Sequence, residues 1–144
     1  MKNSDKTKAI RYHDISTGHR VAGHESKCAH LHGHNYRIHF HCEAAQLDSV
    51  GRVIDFGVIK ERLCMWVEKV WDHRMLIWVE DPMLKTLVDL DPDGVMPVVF
   101  NPTAENMAQY LVKEIGPGAL LGTGVVLTKV VIEETAKCSV SYEL

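Results

Sequence analysis

The stretch "KCAHLHGHNY", residues 27–36, places one thiol and three imidazoles in ten residues. Of the nine histidines in the 144-residue chain, eight fall between His13 and His41. Residues two apart on a strand share a face, with Cα atoms about 6.5–7 Å apart. Imidazoles at that spacing can converge on one ion at about 2.0–2.1 Å from each nitrogen. His32 and His34, separated by Gly33, therefore form a two-ligand clamp, and glycine allows close backbone approach between them. A third ligand must come from elsewhere, and His19, at the end of the preceding strand in "STGHRV", is the best placed. Three histidines leave one position of a tetrahedral zinc open, which is the arrangement of catalytic rather than structural sites. The spacing alone leaves a second reading open, in which these imidazoles are core or surface groups satisfied by hydrogen bonds. His30 shares the alternation but cannot converge equally well. His39 and His41 read as structural, and His13 and His24 as surface residues.

The strands and helices that carry these groups show in the periodicity of the chain. Residues 9–17 hold short β-compatible stretches. In residues 35–44, Tyr36, Ile38, Phe40 and Cys42 alternate with Arg37, His39, His41 and Glu43, the pattern of a half-buried strand. Asp55 is a fitting N-cap for a helix from about Gly57 to Trp71, with Ile59, Leu63, Trp66, Val67 and Val70 on one face. After "NPTAEN", Thr103 caps a second helix whose apolar stripe is Met107, Tyr110, Leu111 and Ile115. "VVLTKVVIEE" and "KCSVSYEL" read as two closing strands, and "VMPVVF" adds a short strand before the second helix. The order ββααββ predicts an α+β domain with an antiparallel sheet, spanning residues 10–144 behind a polar leader, residues 1–9.

Composition narrows the classes. A net charge of −3 gives no broad basic surface for nucleic acid. No apolar run approaches the roughly 20 residues that span a bilayer. "MKNSDKTKA" lacks the apolar core of a signal peptide. The four cysteines, at 28, 42, 64 and 138, show no C-x-x-C pair. These features predict a cytoplasmic protein with reduced thiols. Cys42, Cys64 and Cys138 read as buried structural cysteines, whereas Cys28 stands among polar residues and histidines. Asp72 and His73, at the end of the first helix, read from their position alone as either helix caps or a chemical pair.

The ordered set "GHRV", "KCAHLHGHNY", "VIDF", "WDHRML", "NPTAEN" and "IEET" resembles the 6-pyruvoyl-tetrahydropterin synthase superfamily from about Ile10 to Tyr142. The three residues between Cys28 and His32, and the "NPTAEN" box, are similar to the bacterial 6-carboxytetrahydropterin synthases of queuosine biosynthesis. "TGH" stands where "AAH" is usual, and the stretch from Glu80 to Phe100 is longer than in the shortest members. The resemblance implies a tunnelling fold, a four-stranded antiparallel sheet with two helices on one face. It also implies a homohexamer built as a dimer of trimers, with active sites between subunits. It further implies a zinc-dependent lyase acting on 7,8-dihydroneopterin triphosphate to give 6-carboxy-5,6,7,8-tetrahydropterin, acetaldehyde and triphosphate. On this resemblance His19, His32 and His34 hold Zn2+, Cys28 is the general base, and Asp72 and His73 are its catalytic partners. Glu134 anchors the pterin, with Glu133 pointing to the other face of its strand, and Thr103 adds a pocket contact. Lys27 and Arg20 are the nearby cations for the triphosphate. Two alternatives remain: a synthase that stops at the pyruvoyl pterin, and a zinc- or pterin-binding module without turnover.

Overall fold

The computed structural model describes residues 6–144. Among the described residues six strands form one sheet: β1 (Lys8–His19), β2 (His32–Ala44), β3 (Met75–Trp78), β4 (Val95–Val98), β5 (Val125–Thr135) and β6 (Cys138–Glu143). The order across the sheet is β4-β3-β1-β2-β5-β6. The long strands β1 and β2 pair antiparallel from Lys8↔Glu43 to His19↔His32, and β5 and β6 continue the antiparallel run. Strand β1 begins at Lys8, inside the stretch read as a leader, of which residues 1–5 lie outside the described residues.

The expected four-stranded, purely antiparallel sheet needs correction. The end of β1 pairs in parallel with β3 (Gly18↔Met75, His19↔Leu76), and β3 pairs in parallel with β4, making the six-stranded sheet mixed. "VMPV" forms the anticipated short strand, but "MLIW" was not legible as one. A four-residue apolar run after a helix has too few residues to show a period. Parallel neighbours need a crossover rather than a hairpin. Residues 79–94, which include a short helix α2 (Leu84–Leu90), supply it. The long stretch after Glu80 is therefore this crossover together with β4.

Two longer helices, α1 (residues 56–70) and α3 (residues 104–119), cover one face of the sheet. Both caps have the expected form. The Asp55 carboxylate accepts from the Gly57 N–H and the Thr103 hydroxyl accepts from the Asn106 N–H. Each helix carries a π-helical turn in its middle, at Lys60–Cys64 and Leu111–Ile115. There two consecutive residues, Leu63 and Cys64 in α1 and Leu111 and Val112 in α3, are buried together. They pack with Tyr36, Ile38, Phe40 and Cys42 of β2, all fully buried, and with Leu127, Val130 and Ile132 of β5. The period-2 alternation of β2 thus separates a helix-covered face from an open face lined by Arg37, His39 and His41. Cys138 is exposed on the edge strand, contrary to the expectation of a buried thiol. Among the described residues no helix is long and apolar enough to cross a membrane.

Candidate active site

The antiparallel register delivers the three histidines. His19 ends β1 directly opposite His32 on β2, and His34 lies two residues further along the same face. One ring nitrogen from each lies within 4.8 Å of the others. The second ring nitrogens fix the tautomers. His19 Nδ1–H donates to the Pro102 carbonyl at 2.6 Å, and His32 Nδ1–H donates to the His30 carbonyl at 2.7 Å. A carbonyl only accepts, so in the neutral rings both hydrogens sit on Nδ1. The two Nε2 lone pairs then face each other at 2.9 Å with no hydrogen between them. Such a pair is repulsive unless a cation lies between the lone pairs. Backbone acceptors behind ligating imidazoles are the usual means of orienting them toward a metal.

The electrostatics agree. Burial, partly opposed by the Pro102 carbonyl and reinforced by the neighbouring imidazoles, pushes His19 down to a pKa of about 4. His34 is also lowered, first by burial, against the attraction of Glu134. Neutral imidazole is the ligating form. The donor set, three neutral imidazole nitrogens within 4.8 Å of one another, therefore fits a divalent metal.

Glu134 and Tyr36 border the triad. Glu134 Oε1 lies 3.6 Å from His34 Nε2 and 3.8 Å from His19 Nε2. Tyr36, fully buried, packs its ring edge-on against His19 and His34 and sets its hydroxyl 3.3 Å from His19 Nδ1. Burial, then the charges of Glu134 and Cys28, push the Tyr36 hydroxyl far above its ordinary range, so it stays protonated. Cys28 rides on a single 3-10 turn, Lys27–Ala29, and is half-buried. Tyr36 stood in the quoted motif as a core residue, and its place between two of the histidines became visible only with the rings in position.

Asp72 and His73 are placed differently. They follow α1 and dock on the edge of β1, where the Ser16 N–H donates to Asp72 at 2.8 Å and the His73 N–H donates to the Ser16 carbonyl at 2.7 Å. His73 Nδ1 bonds the other Asp72 oxygen at 2.7 Å. Partial burial pushes the Asp72 carboxyl up, but the Ser16 N–H, His73 and Glu68 outweigh it and hold it below the ordinary range. His73 adopts φ of 59°, a left-handed conformation unusual for a residue with a side chain, and one that accumulates at functional sites. Its side chain is 80% exposed. The pair opens on a cavity of about 680 Å³ lined by Ser16, Asn35, Arg37 and Glu133. Asn35, Arg37 and Glu133 have the opposite strand parity from His34, Tyr36 and Glu134. One chain thus gathers the histidines and Glu134 on the helix-covered side, with Cys28 near enough for its charge to act on the Tyr36 hydroxyl, while Asp72 and His73 open toward the other.

The remaining sequence candidates resolve as follows. Thr103 caps α3, and the contact from its box to the triad is made by the backbone of Pro102. Glu133 points to the open face, where it pairs with His39. His13 is half-buried against Glu68 at 2.9 Å rather than free on the surface. Arg20 is engaged by Asp81 and by the Ala29 carbonyl, which leaves Lys27 as the less committed of the two cations considered for a polyphosphate.

Comparison with known proteins gives a consistent picture. The family model described as 6-pyruvoyl tetrahydropterin synthase matches residues 9–144. A protein of Rickettsia felis named 6-carboxy-5,6,7,8-tetrahydropterin synthase is 34% identical over 134 residues, covering 92% of this chain and 97% of that protein. A probable 6-carboxy-5,6,7,8-tetrahydropterin synthase of Halobacterium salinarum is 36% identical over 102 residues, covering 70% of this chain and 64% of its own. Among solved structures, an uncharacterized protein of Wolinella succinogenes superimposes with a TM-score of 0.84 at 23% identity, over 96% of this chain and 98% of that one. The 6-pyruvoyl tetrahydropterin synthase of Caenorhabditis elegans does so at 0.69 and 24% identity, over 100% and 99%. At those identities the structural likeness speaks for the fold.

Proposed function

The chain belongs to the 6-pyruvoyl tetrahydropterin synthase family, a family of lyases, and from that premise we propose that it is a zinc-dependent 6-carboxy-5,6,7,8-tetrahydropterin synthase. Its substrate is 7,8-dihydroneopterin triphosphate, and its products are 6-carboxy-5,6,7,8-tetrahydropterin, acetaldehyde and triphosphate, in the cytoplasmic route to queuosine. The observation that carries this reading is the convergence of two lone-pair Nε2 atoms, from His19 and His32, with His34 completing the set, beside Cys28 and Glu134.

His19, His32 and His34 would hold the zinc. When bound there, the ion would supply Lewis acidity toward side-chain hydroxyls, which would favour loss of a neighbouring carbon-bound proton. Cys28, as thiolate, removes that proton. Glu134 accepts paired hydrogen bonds from the pterin ring N–H and 2-amino group and sets the distance from ring to thiol. Asp72 orients His73 through Nδ1 and leaves its Nε2 as the group that returns a proton. In this reading His73 serves the site of a neighbouring subunit within a homohexamer, which its exposure and its opening on the far side of the sheet support. Thr103 holds the Pro102 carbonyl behind His19 by fixing the start of α3.

The test is incubation of purified, zinc-loaded protein with 7,8-dihydroneopterin triphosphate, with pterins and acetaldehyde read by mass spectrometry. Carboxytetrahydropterin together with acetaldehyde is the expected result. A pyruvoyl pterin without acetaldehyde would assign the synthase that stops earlier, and no turnover by folded, zinc-replete protein would reduce the chain to a binding module.

A further inference from the structure

The turn that carries Cys28 has little of its own to hold it. Lys27–Ala29 is three residues long, buries no side chain and has no side-chain cap. The surrounding chain supplies the support. Arg20 Nη1 donates to the carbonyl of Ala29, the residue after Cys28, at 2.7 Å, and Arg20 Nε donates to Asp81 at 2.8 Å. The Val21 N–H donates to the Cys28 carbonyl at 2.9 Å. Asn101 clasps the backbone of Ala22 through both ends of its carboxamide, at 3.1 and 2.9 Å.

Asp81 is the anchor of this set. Its side chain is wholly buried, and its second oxygen accepts from the Met83 N–H at 2.9 Å. A buried ion pair gains little net stability, because desolvation offsets the Coulomb attraction. Its use lies in geometry, since a guanidinium presents donors in a rigid fork that serves two acceptors at once. One arm of the Arg20 fork is fixed by a carboxylate held in the crossover between β3 and β4. The other arm therefore fixes the peptide that follows Cys28. Arg20 also follows the metal ligand His19 directly, so the same residue couples the end of β1 to the thiol turn.

We propose that Arg20 and Asp81 are positioning residues that hold the Cys28 turn in place beside the three histidines, and that the crossover segment after β3 is the source of that brace. This rests on Cys28 being the reacting thiol, but its test reads the turn without substrate. Full-length zinc-loaded protein is pulsed with iodoacetamide, and alkylation is resolved by peptide mass spectrometry, with exposed Cys138 as the reference in the same sample. Asp81→Asn keeps the shape but removes the charge that fixes the fork, and the Cys28 to Cys138 rate ratio rises severalfold while zinc content is unchanged. In turnover the same variant loses kcat by roughly tenfold or more with KM little changed, as expected for a misplaced reacting group. Arg20→Lys retains a cation opposite Asp81 without the two-armed fork, and shows the same rise if Asp81→Asn does not fold. An unchanged ratio in a folded variant overturns the brace. A wild-type enzyme without pterin turnover would sink the proposed activity but leave the ratio measurement valid. A normal ratio with KM raised tenfold in Arg20→Lys would instead assign Arg20 to the triphosphate and also overturn the brace.

Discussion

Substitution of His19 by alanine tests the metal reading through stability, with no substrate required. His19 is 1% exposed, and its Nδ1–H donation to Pro102 ties β1 to the start of α3. Without the ring the Pro102 carbonyl loses its donor, at a cost of about 1–3 kcal/mol. For a chain of this size about 1 kcal/mol moves Tm by roughly 2–4 °C, so the metal-free variant should melt roughly 2–12 °C below the metal-free parent. Zinc adds a second difference. A ligand present at about 1,000 times its Kd stabilises the folded state by about 4 kcal/mol, which is roughly 8–16 °C for the parent. With one of three nitrogen donors gone, that zinc-induced rise should largely vanish in His19→Ala. The assay is thermal melting with chelator and then with buffered zinc. His39→Ala, from the Glu133 pair on the open face, is the control and should keep the full zinc rise. An undiminished zinc rise in His19→Ala would refute the assignment of the triad as the metal site.

Thr103→Ala removes the hydroxyl that caps α3 and should cost about 1 kcal/mol, read by denaturant unfolding, while Thr103→Ser should recover most of it. Asp72 has a folded pKa below its unfolded value, so its contribution is present above the unfolded pKa and is lost as pH falls through the folded one. The Tm gap between the parent and Asp72→Asn should therefore be open at neutral pH and close in acid; a gap that widens in acid would contradict the hydrogen-bonded carboxylate. Cys28→Ala should lose turnover while keeping zinc stoichiometry and pterin binding, measured by metal analysis and calorimetry. Unaltered turnover would exclude a thiol base.

Much of the site was legible because it rests on short-range regularities. The H-x-H spacing places His32 and His34 on one strand face whatever the rest of the fold does, and β2 carries its register in its alternation. The side chains of Asp55 and Thr103 cap their helices locally. What escaped notice depends on long-range contacts. "MLIW" becomes a strand through pairing with the end of β1 on one side and with β4 on the other. Pro102 acts through a carbonyl, which no residue-type pattern reports. Asp81 carries no local signal of its role, because its burial against Arg20, 61 positions earlier, follows from the crossover. Cys138 looks like a strand cysteine, but β6 is an edge strand and exposes it. The separation of Asp72 and His73 from the triad by the sheet was equally out of reach, because it depends on how α1 ends against β1.

X-ray absorption at the zinc edge of the loaded protein is the most direct test of the central claim, that three imidazoles hold the metal and leave Cys28 free to act as a base. The account predicts a first shell of nitrogen and oxygen only, at about 2.0–2.1 Å, with three imidazole scatterers. A sulfur at about 2.3 Å would place Cys28 on the metal and contradict it.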